Sequence, residues 1–89
     1  MKYTLIYHKK TIADKDKLIA AKLIDKAEQL CNDLAVNPTL PNSKKLYRDL
    51  VGKYSIIINL QHRLVYEIFE KEKIIKILSM WGHYGNLGE

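Results

Sequence analysis

Residues 54–81 read YSIIINLQHRLVYEIFEKEKIIKILSMW, and this run contains three consecutive predicted β-strands. The strands extend from Tyr54 to Leu60, from Arg63 to Phe69 and from Ile74 to Trp81. Each is rich in the β-branched and aromatic residues that strands favour, and polar or charged turn residues separate them. We therefore expect an antiparallel three-stranded meander in the C-terminal half of the chain.

The register of the second hairpin follows from its charges. If Phe69 pairs with Ile74, then Glu67 faces Lys76, and opposite charges at directly opposed positions stabilise a strand pair. The same register gives the hairpin one mixed face, which contains Arg63, and one more apolar face, which we expect the helices to cover. The apolar face consists of Leu64, Tyr66, Ile68, Ile75, Ile77 and Trp81.

The first part of the chain has the pattern of one strand followed by helix. Met1 to Tyr7 reads as a strand, and Thr11 is a suitable N-cap for a helical segment from Ile12 to Val36. Because this segment is long for so short a chain, we expect a break near Ala20 to Lys22 and a helical hairpin. The apolar positions of its stripe are Ile19, Leu23, Ala27, Leu30 and Leu34.

These elements together predict one α+β domain over residues 1–89, in which a helical hairpin packs on a small, twisted, mainly antiparallel sheet. The segment from Thr39 to Lys53 that links the two parts is predicted to be rich in loops. It carries a cationic cluster that either forms an ordinary solvated surface or contacts RNA phosphates. The cluster consists of Lys44, Lys45, Arg48 and Lys53.

The composition narrows the classes of protein to consider. Fifteen Lys and Arg against 10 Asp and Glu give a net charge of +5, which favours a polyanion or an acidic protein partner, although many small soluble proteins carry such a charge. No apolar run approaches the roughly 20 residues that span a bilayer, and no signal peptide is evident. A single cysteine, Cys31, suits the reducing cytoplasm. The absence of CxxC, HExxH and glycine-rich phosphate-loop motifs argues against a zinc site or a nucleotide fold.

An arginine and a histidine are the candidate chemical groups. Antiparallel strands place the start of one beside the end of the next, so Arg63 and His83 should meet at one end of the sheet. Such a pair on a small basic domain indicates phosphate chemistry on RNA. The alternatives are a structural pairing of Arg63 with Glu67 and a surface or capping role for His83. For His62, which lies at a turn, we expect a structural hydrogen bond.

Residues 46–84 resemble the YoeB/Txe toxins of the RelE-like superfamily. The resemblance implies the RelE-like microbial RNase fold and a ribosome-dependent mRNA endonuclease in the cytoplasm. It implies attack of a ribose 2′-hydroxyl on the adjacent phosphate, with neither metal nor cofactor. It also implies a cognate antitoxin as partner, together with ribosome and mRNA, and it is compatible with a homodimer. The matching residues are Tyr54-Ser55, Ile58-Asn59, His62-Arg63-Leu64-Val65-Tyr66 and His83-Tyr84.

The resemblance assigns roles to individual residues. Arg63 matches the family arginine that holds the scissile phosphate, since a guanidinium donates two hydrogen bonds and stays charged. His83 matches the residue that protonates the leaving 5′-oxygen, because an imidazole titrates near neutrality. Tyr84 matches the neighbouring aromatic residue, which stacks on a base or orients the substrate.

The sequence departs from the family pattern at two places. Lys44 occupies the position of the glutamate general base, and Ile56-Ile57 replaces two arginines. Some relatives use lysines of this segment instead, so the base is open among Lys44, Lys45 and Glu67. Two other functions also stay open: a ribosome- or antitoxin-binding module with weakened catalysis, and a ParE-like gyrase inhibitor. The tail, residues 85–89, is expected to be flexible.

Overall fold

Two helices lie on one face of a five-stranded sheet in the computed structural model, which describes residues 2–47 and 50–82. This arrangement confirms the predicted α+β fold. Neither of these helices is long and apolar enough to cross a membrane. The elements are β1 Thr4–Tyr7, α1 Lys10–Ala20, α2 Ile24–Val36, β2 Lys44–Lys45, β3 Lys53–Ile57, β4 Arg63–Phe69 and β5 Ile74–Ser79.

The strands are ordered β1-β5-β4-β3-β2 across the sheet. Strands β3, β4 and β5 form the predicted antiparallel meander, and β1 lies parallel to β5. The helical hairpin therefore carries the chain from the β1 edge of the sheet to the β2 edge. The short strand β2 lies in the segment that we expected to be rich in loops, because two residues are too few to show an alternating pattern. It pairs with β3, with Lys44 opposite Ser55 and Lys45 opposite Tyr54.

The predicted register of the β4–β5 hairpin is confirmed near its turn and shifts by one residue further on. Glu67 lies opposite Lys76, as expected, but an irregularity between Val65 and Tyr66 places Val65 opposite Ser79 instead of Leu78. Such a bulge inserts an extra residue in one strand and re-aims the chain beyond it. Beyond the bulge, each residue of β4 therefore lies opposite the β5 residue one position later than the regular register predicts.

The core lies between the helices and the face of the sheet that was predicted to be apolar. The largest buried sheet side chains there include Leu64, Tyr66, Ile75 and Ile77, all fully inaccessible to solvent. The helices contribute Leu18, Ala27, Cys31 and Leu34 to this core cluster. The prediction that Ile19 joins this stripe is wrong, since its side chain is 51% exposed. The two helices are separate, so the periodicity of α2 cannot be extended back into α1.

The break between the helices lies where it was predicted. Helix α1 ends at Ala20, and Lys22 adopts a positive φ of 61°, which an α-helix cannot contain. The predicted N-cap at Thr11 is wrong, because α1 already begins at Lys10. His8 serves the helix start instead: its Nδ1 accepts the N–H of Lys10 at 3.1 Å, and its carbonyl accepts the Thr11 hydroxyl at 2.7 Å.

A cleft of about 330 Å³ opens between the two helices and the β1–β5 edge of the sheet. Its walls are mostly apolar and include Ile12, Ile24 and Met80, with Cys31 among them. Burial raises the pKa of the Cys31 thiol from 9.0 to about 11, while a hydrogen bond with Tyr7 opposes this change. The thiol therefore stays protonated throughout the neutral range.

Alkylation of Cys31, the only cysteine, tests this packing. Because the thiolate is the reactive form, the rate of labelling by iodoacetamide should rise with a midpoint near pH 11 in the folded protein. In denaturant the midpoint should return to about pH 9.0. The folded state holds the proton more tightly, so Cys31 favours folding below about pH 9.0, and this contribution is lost as the pH rises towards 11. Equal rates for the folded and denatured chains at pH 9.0 would contradict the packing.

Candidate functional site

Arg63 is the first residue of β4, at the end of the sheet where the described chain stops. Its backbone N–H donates to the carbonyl of Gly82 at 3.0 Å, so the end of β5 does lie beside it. The residue is half-buried, and its Nη1 atom is fully buried with no hydrogen-bond partner among residues 2–47 and 50–82. A buried donor without a partner costs free energy, and a local opening that let an anion reach this nitrogen would recover that cost.

The two residues predicted to work with Arg63, His83 and Tyr84, lie outside the described residues. Gly82 immediately precedes them, and its carbonyl is bonded to the Arg63 backbone. The chain therefore enters the His-Tyr pair from a point next to the arginine. Their roles remain predictions.

His62 makes the structural hydrogen bond that was expected of it. Its ring is buried, and Nδ1 accepts the N–H of Gly82 at 2.9 Å. The ring also stacks on Trp81, with 3.7 Å between centroids and 23° between planes. The turn that holds His62 is itself fixed, because the Asn59 side-chain oxygen accepts the N–H of His62 at 2.8 Å. His62 thus connects the β3–β4 turn to the end of β5.

The predicted cationic cluster is divided between the two faces of the sheet. Lys44 lies opposite Ser55, and Ser55 lies opposite Val65, so these three residues share one face of the sheet. Val65 is two residues from Arg63 along β4, so Arg63 lies on that face as well. Lys45 lies on the other face. There its strand partner, Tyr54, stacks on the core residue Tyr66, with 5.7 Å between ring centroids. The side chains of Lys44 and Lys45 therefore extend from opposite faces of the sheet and do not act at the same site.

The other cations of the predicted cluster are Lys53 and Arg48. Lys53 lies opposite Glu67, which in turn lies opposite Lys76, so three charged residues form a row across the Arg63 face of the sheet. Arg48 lies outside the described residues. Within the described part of the chain, no group of three or more His, Cys, Asp or Glu residues could hold a metal ion.

The isoleucine run on β3 differs in exposure from one residue to the next. Ile56 and Ile58 are buried in the core, whereas Ile57 is 44% exposed and lies directly opposite Arg63. An apolar residue thus lies beside Arg63 on the sheet, at the position where a family arginine was expected.

One residue at this end of the molecule was missed by the sequence analysis. Asp14 is only 2% exposed, and its Oδ2 accepts the backbone N–H of Met80 at 3.0 Å and the Lys10 ammonium at 3.4 Å. The sequence analysis did not single out this carboxylate. The signal was its spacing: Thr11, Asp14 and Leu18 are three and four residues apart and are the buried positions of α1.

The sequence matches the model of a family described as the ParE toxin of the type II toxin–antitoxin system parDE, over residues 4–84. No curated protein matches it. Among solved structures, a YoeB/ParE toxin from Agrobacterium tumefaciens superposes with a TM-score of 0.81 at 21% identity. That match covers 91% of this chain and 99% of the other.

Further structural neighbours have higher sequence identity. YoeB from Staphylococcus aureus, solved in a complex with YefM, gives a TM-score of 0.76 at 28% identity over 94% of this chain and 100% of that one. A dimer of the same toxin gives 0.78 at the same identity and coverage. The RelBE2 toxin–antitoxin complex from Mycobacterium tuberculosis gives 0.75 at 28% identity, over 93% and 100% of the two chains. These similarities confirm the predicted resemblance to YoeB and RelE-like toxins.

Replacing Arg63 by methionine tests whether its guanidinium carries an unmet hydrogen-bonding need. Because a methionine side chain would fill similar space without a buried donor, Arg63→Met should leave the free energy of unfolding unchanged or raise it by about 1 kcal/mol. Denaturation in urea measures the free energy of unfolding. The matched control is Lys71→Met, a substitution at an exposed turn residue. Its free energy of unfolding should lie within about 0.5 kcal/mol of that of the wild type. A loss of about 2 kcal/mol or more in Arg63→Met would mean that the guanidinium stabilises the fold.

Proposed function

The chain belongs to the ParE toxin family of type II toxin–antitoxin systems, and on this premise we propose that it is a ribosome-dependent mRNA endonuclease that inhibits translation. The observation that carries the proposal is the buried, unpartnered Nη1 of Arg63 beside the end of β5. It is an anion-binding group on a basic protein, at the position that matches the phosphate-binding arginine of YoeB-like toxins. The 28% identity with YoeB of Staphylococcus aureus supports this choice within the superfamily.

The proposed reaction is an internal transfer at one phosphate of the mRNA. The ribose 2′-oxygen forms a bond to phosphorus while the bond from phosphorus to the 5′-oxygen of the next nucleotide breaks. The products are a 2′,3′-cyclic phosphate and a free 5′-hydroxyl. Arg63 binds the equatorial phosphate oxygens, whose negative charge grows in the transition state, and a fixed guanidinium stabilises that charge without reorganisation.

Two proton transfers accompany the attack. His83, the residue after Gly82, gives a proton to the leaving 5′-oxygen, and Tyr84 orients the substrate by stacking on a base. Lys44 takes the proton from the 2′-hydroxyl, for which it must be in its neutral form. The strand register supports Lys44 over Lys45, because Lys44 shares the face of Arg63.

The remaining cationic residues bind phosphates other than the one that is cleaved. Lys45, Arg48 and Lys53 contact the backbone of mRNA or of ribosomal RNA, so the affinity for ribosomes should fall steeply with salt. Glu67, which lies four residues from Arg63 along β4, or about 13 Å away, remains the alternative base.

We also propose a cognate antitoxin as the protein partner. The solved relatives from Staphylococcus aureus and Mycobacterium tuberculosis are toxin–antitoxin complexes, and the former toxin also occurs as a dimer. With a net charge of +5, this chain favours an antitoxin whose binding segment is acidic. A homodimer in the absence of antitoxin is part of the same proposal.

A second candidate function is inhibition of gyrase. The matching family is the one named for ParE, and Lys44 and Ile56-Ile57 stand where a YoeB-like toxin has a glutamate and two arginines. Arg63 and the His83-Tyr84 pair favour RNA cleavage. A further alternative is a protein that binds the ribosome or the antitoxin but cleaves RNA only slowly.

Mapping of 5′-hydroxyl RNA ends in cells that express the protein tests the proposal. Wild type should create new ends within translated mRNAs, and Lys44→Ala should reduce their formation about 100-fold, the contribution of a general base. Lys45→Ala is the matched control: it removes the same charge one residue away on the other face, and should reduce cleavage by only a few fold.

Three results would contradict this account. Equal losses in the two lysine variants would remove Lys44 from the chemistry. Arrest of translation without new RNA ends would show a binding module, and DNA damage with intact translation would show a gyrase inhibitor.

A further inference from the structure

The three residues that follow β5, Met80, Trp81 and Gly82, connect the sheet to the predicted catalytic histidine. This segment, residues 80–82, is held by contacts from two different parts of the molecule. Helix α1 holds its first residue, and the β3–β4 turn holds its last two. The segment therefore has a defined position although it lies beyond the last residue of the strand.

The first anchor is the carboxylate of Asp14. It accepts the Met80 N–H at 3.0 Å, and it is almost completely removed from water. The Lys10 ammonium binds the same carboxylate oxygen at 3.4 Å and the Ser79 hydroxyl at 3.2 Å. The Ser79 hydroxyl in turn donates to the carbonyl of Trp81 at 3.3 Å. A hydrogen bond to a charged acceptor in a dry setting is stronger than a neutral one, so this anchor is firm.

The second anchor is the imidazole of His62. Its Nδ1 accepts the Gly82 N–H, and its ring covers Trp81, so one side chain fixes two consecutive residues. The Gly82 carbonyl accepts the N–H of Arg63, which places both backbone groups of Gly82 under restraint. Gly82 adopts a positive φ of 81°, a conformation that favours glycine and that turns the chain sharply before His83.

We propose that Asp14 and His62 are positioning residues, which fix residues 80–82 beside Arg63, so that the chain continues to His83 from a fixed point. The proposal rests on the function proposed above and deepens it. Neither side chain touches the phosphate; each acts through the backbone between Met80 and Gly82. Their effect is on rate, because a misplacement of about 1 Å between reacting groups costs about 100-fold.

The test combines amide hydrogen exchange with single-turnover cleavage of ribosome-bound mRNA. In Asp14→Ala, the Met80 amide should exchange at least about 10-fold faster, while amides paired between β4 and β5 near the hairpin turn keep their protection. The cleavage rate constant should fall about 10- to 100-fold, with the affinity for ribosomes unchanged. Asp14→Asn, which retains an acceptor oxygen, should recover part of both. Asp16→Ala, an exposed carboxylate on the same helix, is the control and should change neither.

The second anchor has its own pair of variants. His62→Phe keeps a ring to stack on Trp81 but removes the acceptor, so the Gly82 amide should exchange faster and cleavage should slow. His62→Asn offers an amide oxygen as acceptor and should restore protection of Gly82 while it loses the stacking. Faster exchange at Met80 or Gly82 with an unchanged cleavage rate would overturn the positioning role.

Failure of the proposed function is distinguishable from failure of the positioning role. If the wild-type protein cuts no RNA, the endonuclease proposal is wrong, and the exchange rates still decide whether these side chains fix the segment. If the wild-type protein cuts RNA but neither amide responds to its variant, the anchors are wrong and the endonuclease proposal stands.

Discussion

The pairing of β4 with β5 is the constraint on which the rest of this molecule depends. It forms the centre of the sheet, and its apolar face carries much of the core, including Tyr66 and Ile77. The irregularity at Val65 shifts the last part of the ladder by one residue. Beyond that shift, the Arg63 N–H donates to the carbonyl of Gly82 at 3.0 Å. The strand pairing that builds the core thus also places Arg63, the candidate phosphate-binding residue, beside Gly82.

The two faces of the sheet differ in composition and in the role that we assign to each. The helix-covered face is a continuous apolar core, whereas the opposite face carries Arg63 and a row of charges at Lys53, Glu67 and Lys76. A small chain buries a modest share of its surface, so it has little stability to spare for unmet hydrogen-bonding groups. The buried Nη1 of Arg63 is such a group, which is why we propose that it binds an anion. The buried Asp14, in contrast, is fully partnered, by the Met80 N–H and the Lys10 ammonium.

Much of this arrangement could be predicted from the sequence, since the strands and helices have clear periodicity. The Glu67–Lys76 pair indicated the hairpin register, and the break between the helices fell where it was expected. Three features depend on tertiary contacts and could not be read from a local pattern. They are the strand at Lys44–Lys45, which exists only as a partner of β3, the bulge, and the buried carboxylate of Asp14.

The central claim is that Arg63 stabilises the charge that develops on a scissile phosphate. Single-turnover cleavage of mRNA on ribosomes, measured for wild type and Arg63→Ala, tests it most directly. The account predicts a rate constant at least about 100-fold lower in Arg63→Ala, with ribosome binding retained. Arg63→Lys, which keeps the charge but not the two-pronged geometry, should fall between them. An Arg63→Ala variant that cuts at the wild-type rate would contradict the account.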